Sequence, residues 1–91
     1  MEEMRMQITI ADFDYSGFTP LQQLKKIQEE LRELKLELVN LGFQPNERRL
    51  NKVAAEAFDL IQATYGMLIV LGVDIEAANR RHIEKLEARH E

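Results

Sequence analysis

Between Ala57 and Val73 the chain carries a single formal charge, Asp59, in seventeen residues. Leu60, Ile61, Met67, Leu68, Ile69, Val70 and Leu71 leave this stretch no polar side, and a helix that is apolar nearly all round is buried nearly all round. Asp59, Gln62 and Thr64 interrupt it, and seventeen residues are short for a membrane span, so its expected place is the centre of a helical assembly. A chain of 91 residues has little other material with which to cover it. The expectation is therefore an all-α protein in which three main helices per chain form a four-helix-bundle core through oligomerisation, as a homodimer or homotetramer.

The flanking sequence supplies the other helices. Thr19-Pro20-Leu21-Gln22 is a strong start signal, with Thr19 as N-cap, Pro20 at the first helical position and Gln22 closing a capping box. Phe18 is placed to staple against Leu24. Leu21, Leu24, Ile27, Leu31, Leu34, Leu38 and Leu41 then recur at steps of three and four, which predicts an apolar seam along about six turns, with Gly42 as its stop. Glu30, Glu33 and Glu37 fall together on one flank of that seam. Phe43 to Asn46 reads as a short loop whose Asn46 can cap the second helix. Gly66 inside that helix predicts the close approach of another helix. Gly72 closes the second helix, and Asp74 caps a third running from Ile75 to about Arg89.

Ahead of Thr19, the alternation Met6-Gln-Ile-Thr-Ile-Ala-Asp12 suits an extended N-terminal arm, so the division expected is an arm over 1–18 and one helical domain over 19–91. Composition excludes several functions. Twelve basic against sixteen acidic residues leave a net charge of −4, which argues against a protein that grips nucleic acid. There is no cysteine, hence no disulfide framework and no thiolate metal site. The opening residues include Glu2, Glu3 and Arg5 and have no signal-peptide pattern, so a cytoplasmic protein that meets no membrane is expected.

Four acids carry the chemistry. Glu30 and Glu33 are three residues apart on the first helix, and Glu56 and Asp59 are three apart on the second, so each pair projects from one side of its helix. An antiparallel helix hairpin would aim both pairs at one point, and an uncompensated cage of carboxylates would repel itself unless a divalent cation sat within it. Two plainer readings compete. Lys25, Lys26, Arg32 and Lys35 alternate with the acids of the first helix, as on a solvated, ion-paired face. Asp59, a carboxylate in an apolar helix, could instead pair with a basic residue of another helix.

Taken together, Glu29-Glu30-Leu31-Arg32-Glu33 and, after twenty-two residues, Glu56-Ala57-Phe58-Asp59 are similar to the EExxE and ExxD signature of MazG-like nucleoside triphosphate pyrophosphohydrolases. Lys85-Leu86-Glu87-Ala88-Arg89, following Gly72-Val73-Asp74, resembles that family's KxxxR segment. The likeness covers about Thr19 to Arg89 and is nearest the short stand-alone members of phages and bacteria. It implies an all-α enzyme that splits a nucleoside triphosphate into monophosphate and pyrophosphate with Mg²⁺, or Mn²⁺ in its place, to cleanse the nucleotide pool. By the same resemblance, Glu30, Glu33, Glu56 and Asp59 would be the catalytic metal ligands. Glu29 would support them from behind, and Lys85 and Arg89 would contact substrate phosphate. Many relatives are longer, and any base-recognition element that those relatives carry beyond Arg89 would be missing.

A phosphoribosyl-ATP pyrophosphohydrolase-like enzyme shares these motifs, and a helical interaction module without chemistry could keep the fold. An oxygen-only donor set suits magnesium, which keeps several waters and is held by a few carboxylates together with substrate phosphates. His82 and His90 sit on a helix flank, where a lone histidine is more often structural or solvated, and they are left out of the site.

Overall fold

The computed structural model describes residues 6–89 and is all-helical: α1 spans Pro20–Phe43, α2 Glu47–Val70 and α3 Ile75–Arg89, with no strand among the described residues. The first five residues of the expected arm, and His90 and Glu91, lie outside the described residues. Each helix starts on its predicted cap. The Thr19 hydroxyl accepts from the Gln22 N–H (3.2 Å) while the Gln22 side chain accepts from the Thr19 N–H (2.9 Å), completing the capping box. Asn46 Oδ1 accepts from Arg49 N–H (2.9 Å), and Asp74 Oδ1 from Ala77 N–H (3.1 Å).

The helix ends divide the two glycines that sequence made stops. Gly72 has φ of 69°, and the Gly72 and Val73 N–H groups return to the carbonyls of Ile69 and Leu68 (3.0 Å each). This is a Schellman closure, which satisfies the last carbonyls of an apolar helix. Gly42 does not stop α1. The helix runs one residue past it to Phe43, and the Gln44 N–H closes on the Asn40 carbonyl. Pro45 lies just beyond, where it disfavours further helix in the residue before it.

α1 and α2 pack along each other as a hairpin, whereas α3 makes next to no contact with either. Within that hairpin the leucine seam splits. Ile27, Leu34 and Leu41 are part-buried, while Leu24, Leu31 and Leu38, seven residues apart, are about half exposed. The residues that α1 buries most deeply are polar, Gln23 and Glu30. Glu30 thus lies inside the hairpin rather than along its flank. α2 is equally uncovered: only Ala63 and Gly66 of its residues are buried, and Phe58 and the capping Leu71 are more than half exposed. At 24 residues α2 is also long and apolar enough to cross a membrane, so shortness does not exclude a span, in which Glu56 and Asp59 near its middle would be costly. The radius of gyration, 15.9 Å, exceeds the roughly 12 Å of a compact domain of this length.

Residues 6–19 carry neither helix nor strand apart from a turn at Ser16–Gly17, yet they are tied to α2. The Gln62 side chain accepts from the Ala11 N–H and donates to the Ala11 carbonyl (2.8 Å each), and its amide also reaches the Tyr15 hydroxyl (2.9 Å). Phe18, predicted to staple onto α1, has Tyr15 as its ring neighbour. Gly66 is the close-approach point, and its neighbours are Tyr15 and Gln23. A Cβ there would meet Gln23 Nε2 and Tyr15 Cε1 at 2.7 Å and Tyr15 Cζ at 2.8 Å. Alanine at this position gains about 1 kcal/mol of helix propensity but incurs about 1–3 kcal/mol of overpacking, because the Tyr15 ring is pinned at both ends. Gly66→Ala is therefore expected to lose up to about 2 kcal/mol in urea unfolding at fixed protein concentration. A gain in stability would show that Tyr15 does not rest on Gly66.

Candidate active site

α1 and α2 bring three of the four predicted acids together. One carboxylate oxygen each from Glu30, Glu33 and Glu56 lies within 4.8 Å of the other two. Helix periodicity places Glu30 and Glu33 on adjoining turns of α1, and the antiparallel return of the chain sets Glu56 opposite them. Burial is graded across the group: the Glu30 side chain is only 8% exposed, Glu56 is part-buried and Glu33 faces solvent.

Asp59 is one turn beyond Glu56. It is not buried, as its apolar helix led one to expect, but exposed on the rim of a cavity that Glu30 also lines. No ion pair to Asp59 occurs among the described residues, so within one chain the salt-bridge reading finds no partner. The ion-paired reading of α1 does hold in one place, where Lys26 Nζ lies 2.9 Å from Glu30 Oε1. That hydrogen bond and the Glu30 charge hold the Lys26 ammonium above its ordinary range. Glu29 is exposed, and its part is electrostatic, adding to the negative field on Lys26.

One lysine against several carboxylates leaves an excess of negative charge. Glu30 Oε2 and Glu56 Oε2 are buried without a hydrogen-bond partner, as is Glu37 Oε2 two turns beyond Glu30 on α1. Burying a carboxylate oxygen without a donor is costly, and a convergent group of carboxylates that includes such oxygens offers a hard cation its ligands. The residues present fit magnesium on that ground. Glu37 was visible in sequence only as a neighbour of Glu30 on one helix flank; its i, i+7 spacing from Glu30 was the signal that it too would turn toward α2.

The acids also press on one another. Partial burial pushes the Glu56 carboxyl above the ordinary carboxylate range; the hydrogen bond and charge of Glu33, then the charges of Asp59 and Glu30, push it further. The basic residues of the predicted site stand apart. Lys85 and Arg89 are exposed on α3, and no hydrogen bond or ion pair among the described residues joins them to the acids.

A family model for phosphoribosyl-ATP pyrophosphohydrolase matches residues 9–90, a span that holds every residue of the candidate site. No curated protein and no solved structure matches the chain.

A carboxyl whose pKa is raised by folding holds its proton more tightly folded than unfolded, so stability is lost as pH rises from the ordinary value of 4.5 to the higher folded value. Glu56→Gln abolishes that loss. In EDTA, its melting temperature relative to wild type is expected to climb with pH across this window and then level off. A difference that stays flat or falls would mean that the fold does not oppose ionisation of Glu56.

Proposed function

Since the chain belongs to the phosphoribosyl-ATP pyrophosphohydrolase family, an all-α family of pyrophosphohydrolases acting on nucleotides, we propose that it is a Mg²⁺-dependent nucleoside triphosphate pyrophosphohydrolase of MazG-like type. It would release a nucleoside monophosphate and pyrophosphate, in the service of nucleotide-pool house-cleaning. The observation that carries this reading is the set of converging carboxylates, with Oε2 of Glu30 and of Glu56 buried and lacking any donor. Glu30, Glu33, Glu56 and Asp59 would hold the metal. Magnesium, when bound, supplies positive charge against the triphosphate and makes water at the site more acidic.

The chain's own residues do the rest. Buried Glu30 and part-buried Glu56 fix the inner side of the site, and Glu33 and Asp59 offer oxygens from the exposed side. A glutamate of the group orients the water and takes its proton as the water oxygen bonds to phosphorus and the bond to the departing pyrophosphate breaks. Lys85 and Arg89 contact the phosphates and stabilise the charge that the leaving group gains. The family match also favours a second reading, in which phosphoribosyl-ATP is itself the substrate.

Pyrophosphate release from canonical and modified triphosphates and from phosphoribosyl-ATP, with Mg²⁺ and with EDTA, separates these readings. Turnover only with Mg²⁺, lost in Asp59→Asn, is expected. Mg²⁺ at a hundredfold excess over Kd should stabilise the wild type by about 2.7 kcal/mol and the variant by little. No release from any substrate would leave a non-catalytic helical module as the better account.

Association of chains belongs to the same proposal. Leu24, Leu31 and Leu38 on α1, and Phe58 and Ile61 on α2, are apolar surface that one chain leaves in water, on helices already paired with each other. A second copy laying its hairpin on this one completes a four-helix core and gives α3, with Lys85 and Arg89, a neighbour. Light scattering at micromolar concentration is expected to report a dimer or tetramer. A stable, soluble monomer would refute this.

A further inference from the structure

The cavity beside the acids has a wall that no motif accounts for. Its volume is about 360 Å³, within the roughly 300–1,000 Å³ of small-molecule pockets. Glu30 and Asp59 line it from the helix hairpin, and Phe13, Tyr15 and Phe18 line it from the segment ahead of α1. Glu30 belongs both to this cavity and to the three-acid group, so the two are continuous.

The aromatic wall is fixed rather than loose. Gln62 grips Ala11 at both its N–H and its carbonyl, the Tyr15 hydroxyl is held by the same amide, and the Phe18 N–H bonds to the Tyr15 carbonyl (3.0 Å). Tyr15 fills the space that Gly66 leaves. Phe13 and Phe18 meet Tyr15 edge to face, with centroids 6.3 and 6.1 Å away, and they remain 59% and 49% exposed. Two half-exposed rings set by a third, opening toward carboxylates, suit a molecule with a flat apolar ring at one end and metal-bound phosphates at the other.

We infer that Phe13 and Phe18 form the base-binding wall of the site, taking the nucleobase of the substrate by its face while its phosphates lie toward Glu30 and Asp59. The inference rests on the pyrophosphohydrolase reading for the phosphates, but not for the base. The wall has little with which to read a base edge. Gln62 has its oxygen and its nitrogen engaged by Ala11 and Tyr15, and buried Gln23 has its nitrogen engaged by the Ala63 carbonyl (2.8 Å). Every base presents a π-face, so such a wall tolerates changes to exocyclic groups. The substrate class is thus nucleotides broadly, altered bases included, rather than one base.

Steady-state kinetics of Phe13→Ala and Phe18→Ala test this in the full chain, with inorganic tripolyphosphate, which has no base, as competitive inhibitor. Loss of one stacking partner should raise KM for each nucleotide that the wild type turns over by about 5- to 150-fold, with the tripolyphosphate inhibition constant unchanged. An unchanged KM, or a KM that rises together with that constant, would overturn the assignment. If the wild type turns over nothing, or the variants do not fold, nuclear Overhauser effects on the wild type decide the matter. Contacts between the base protons of adenosine monophosphate and the Phe13 and Phe18 rings are expected, and their absence would sink the wall whatever becomes of the catalytic reading.

Discussion

The hairpin of α1 and α2 is closed over carboxylates. In most helix pairs the residues most deeply buried between the helices are apolar, and their burial stabilises the pair. Here α1 places Gln23 and Glu30 deepest, with Glu37 a further two turns along burying one of its oxygens, and α2 answers with Glu56. Charge of one sign in a poorly solvated place opposes the packing that puts it there. That opposition draws Lys26 onto Glu30 and pushes the Glu56 carboxyl up.

This arrangement explains what the sequence made legible. Caps at Thr19, Asn46 and Asp74 and the stop at Gly72 are local chemistry, in which a few adjacent residues decide the backbone, and each stands where it was read. Spacing of three within each acid pair also sufficed to bring Glu30, Glu33 and Glu56 together. Other features were not local. A seam of leucines at steps of three and four is wide enough to serve two surfaces, and periodicity cannot say which half meets the partner within the chain. Glu30 was therefore read as flanking the core when it lies inside it. Asp59 was read as buried because its neighbours in sequence are apolar, but in one chain those neighbours are themselves uncovered. The role of Tyr15 was hidden for a different reason: its contacts, Gln62 and Gly66, lie some fifty residues away.

The segment ahead of α1 shows how a stretch without regular structure is still ordered. Its backbone groups find partners in a side chain of α2 instead of in a sheet, so a single glutamine does the work that a neighbouring strand would do. The alternation of Met6 to Asp12 had suggested extended chain; the segment has no regular structure and is pinned to α2 at Ala11 and Tyr15. The cavity wall depends on these bonds.

The turn at Gly72 has a consequence for α3. Because α3 leans on neither of the other helices, its direction relative to the acids is carried by the backbone of the few residues around that glycine. A helix of 15 residues is about 22 Å long, so a change of roughly 20° at the turn sweeps its far end through about 8 Å. Arg89 sits at that far end and Lys85 one turn nearer. The chain thus holds its carboxylates in the packed hairpin and its cations on a lever hinged at Gly72, and the distance between opposite charges becomes a matter of the backbone angles at that turn rather than of packing within the chain.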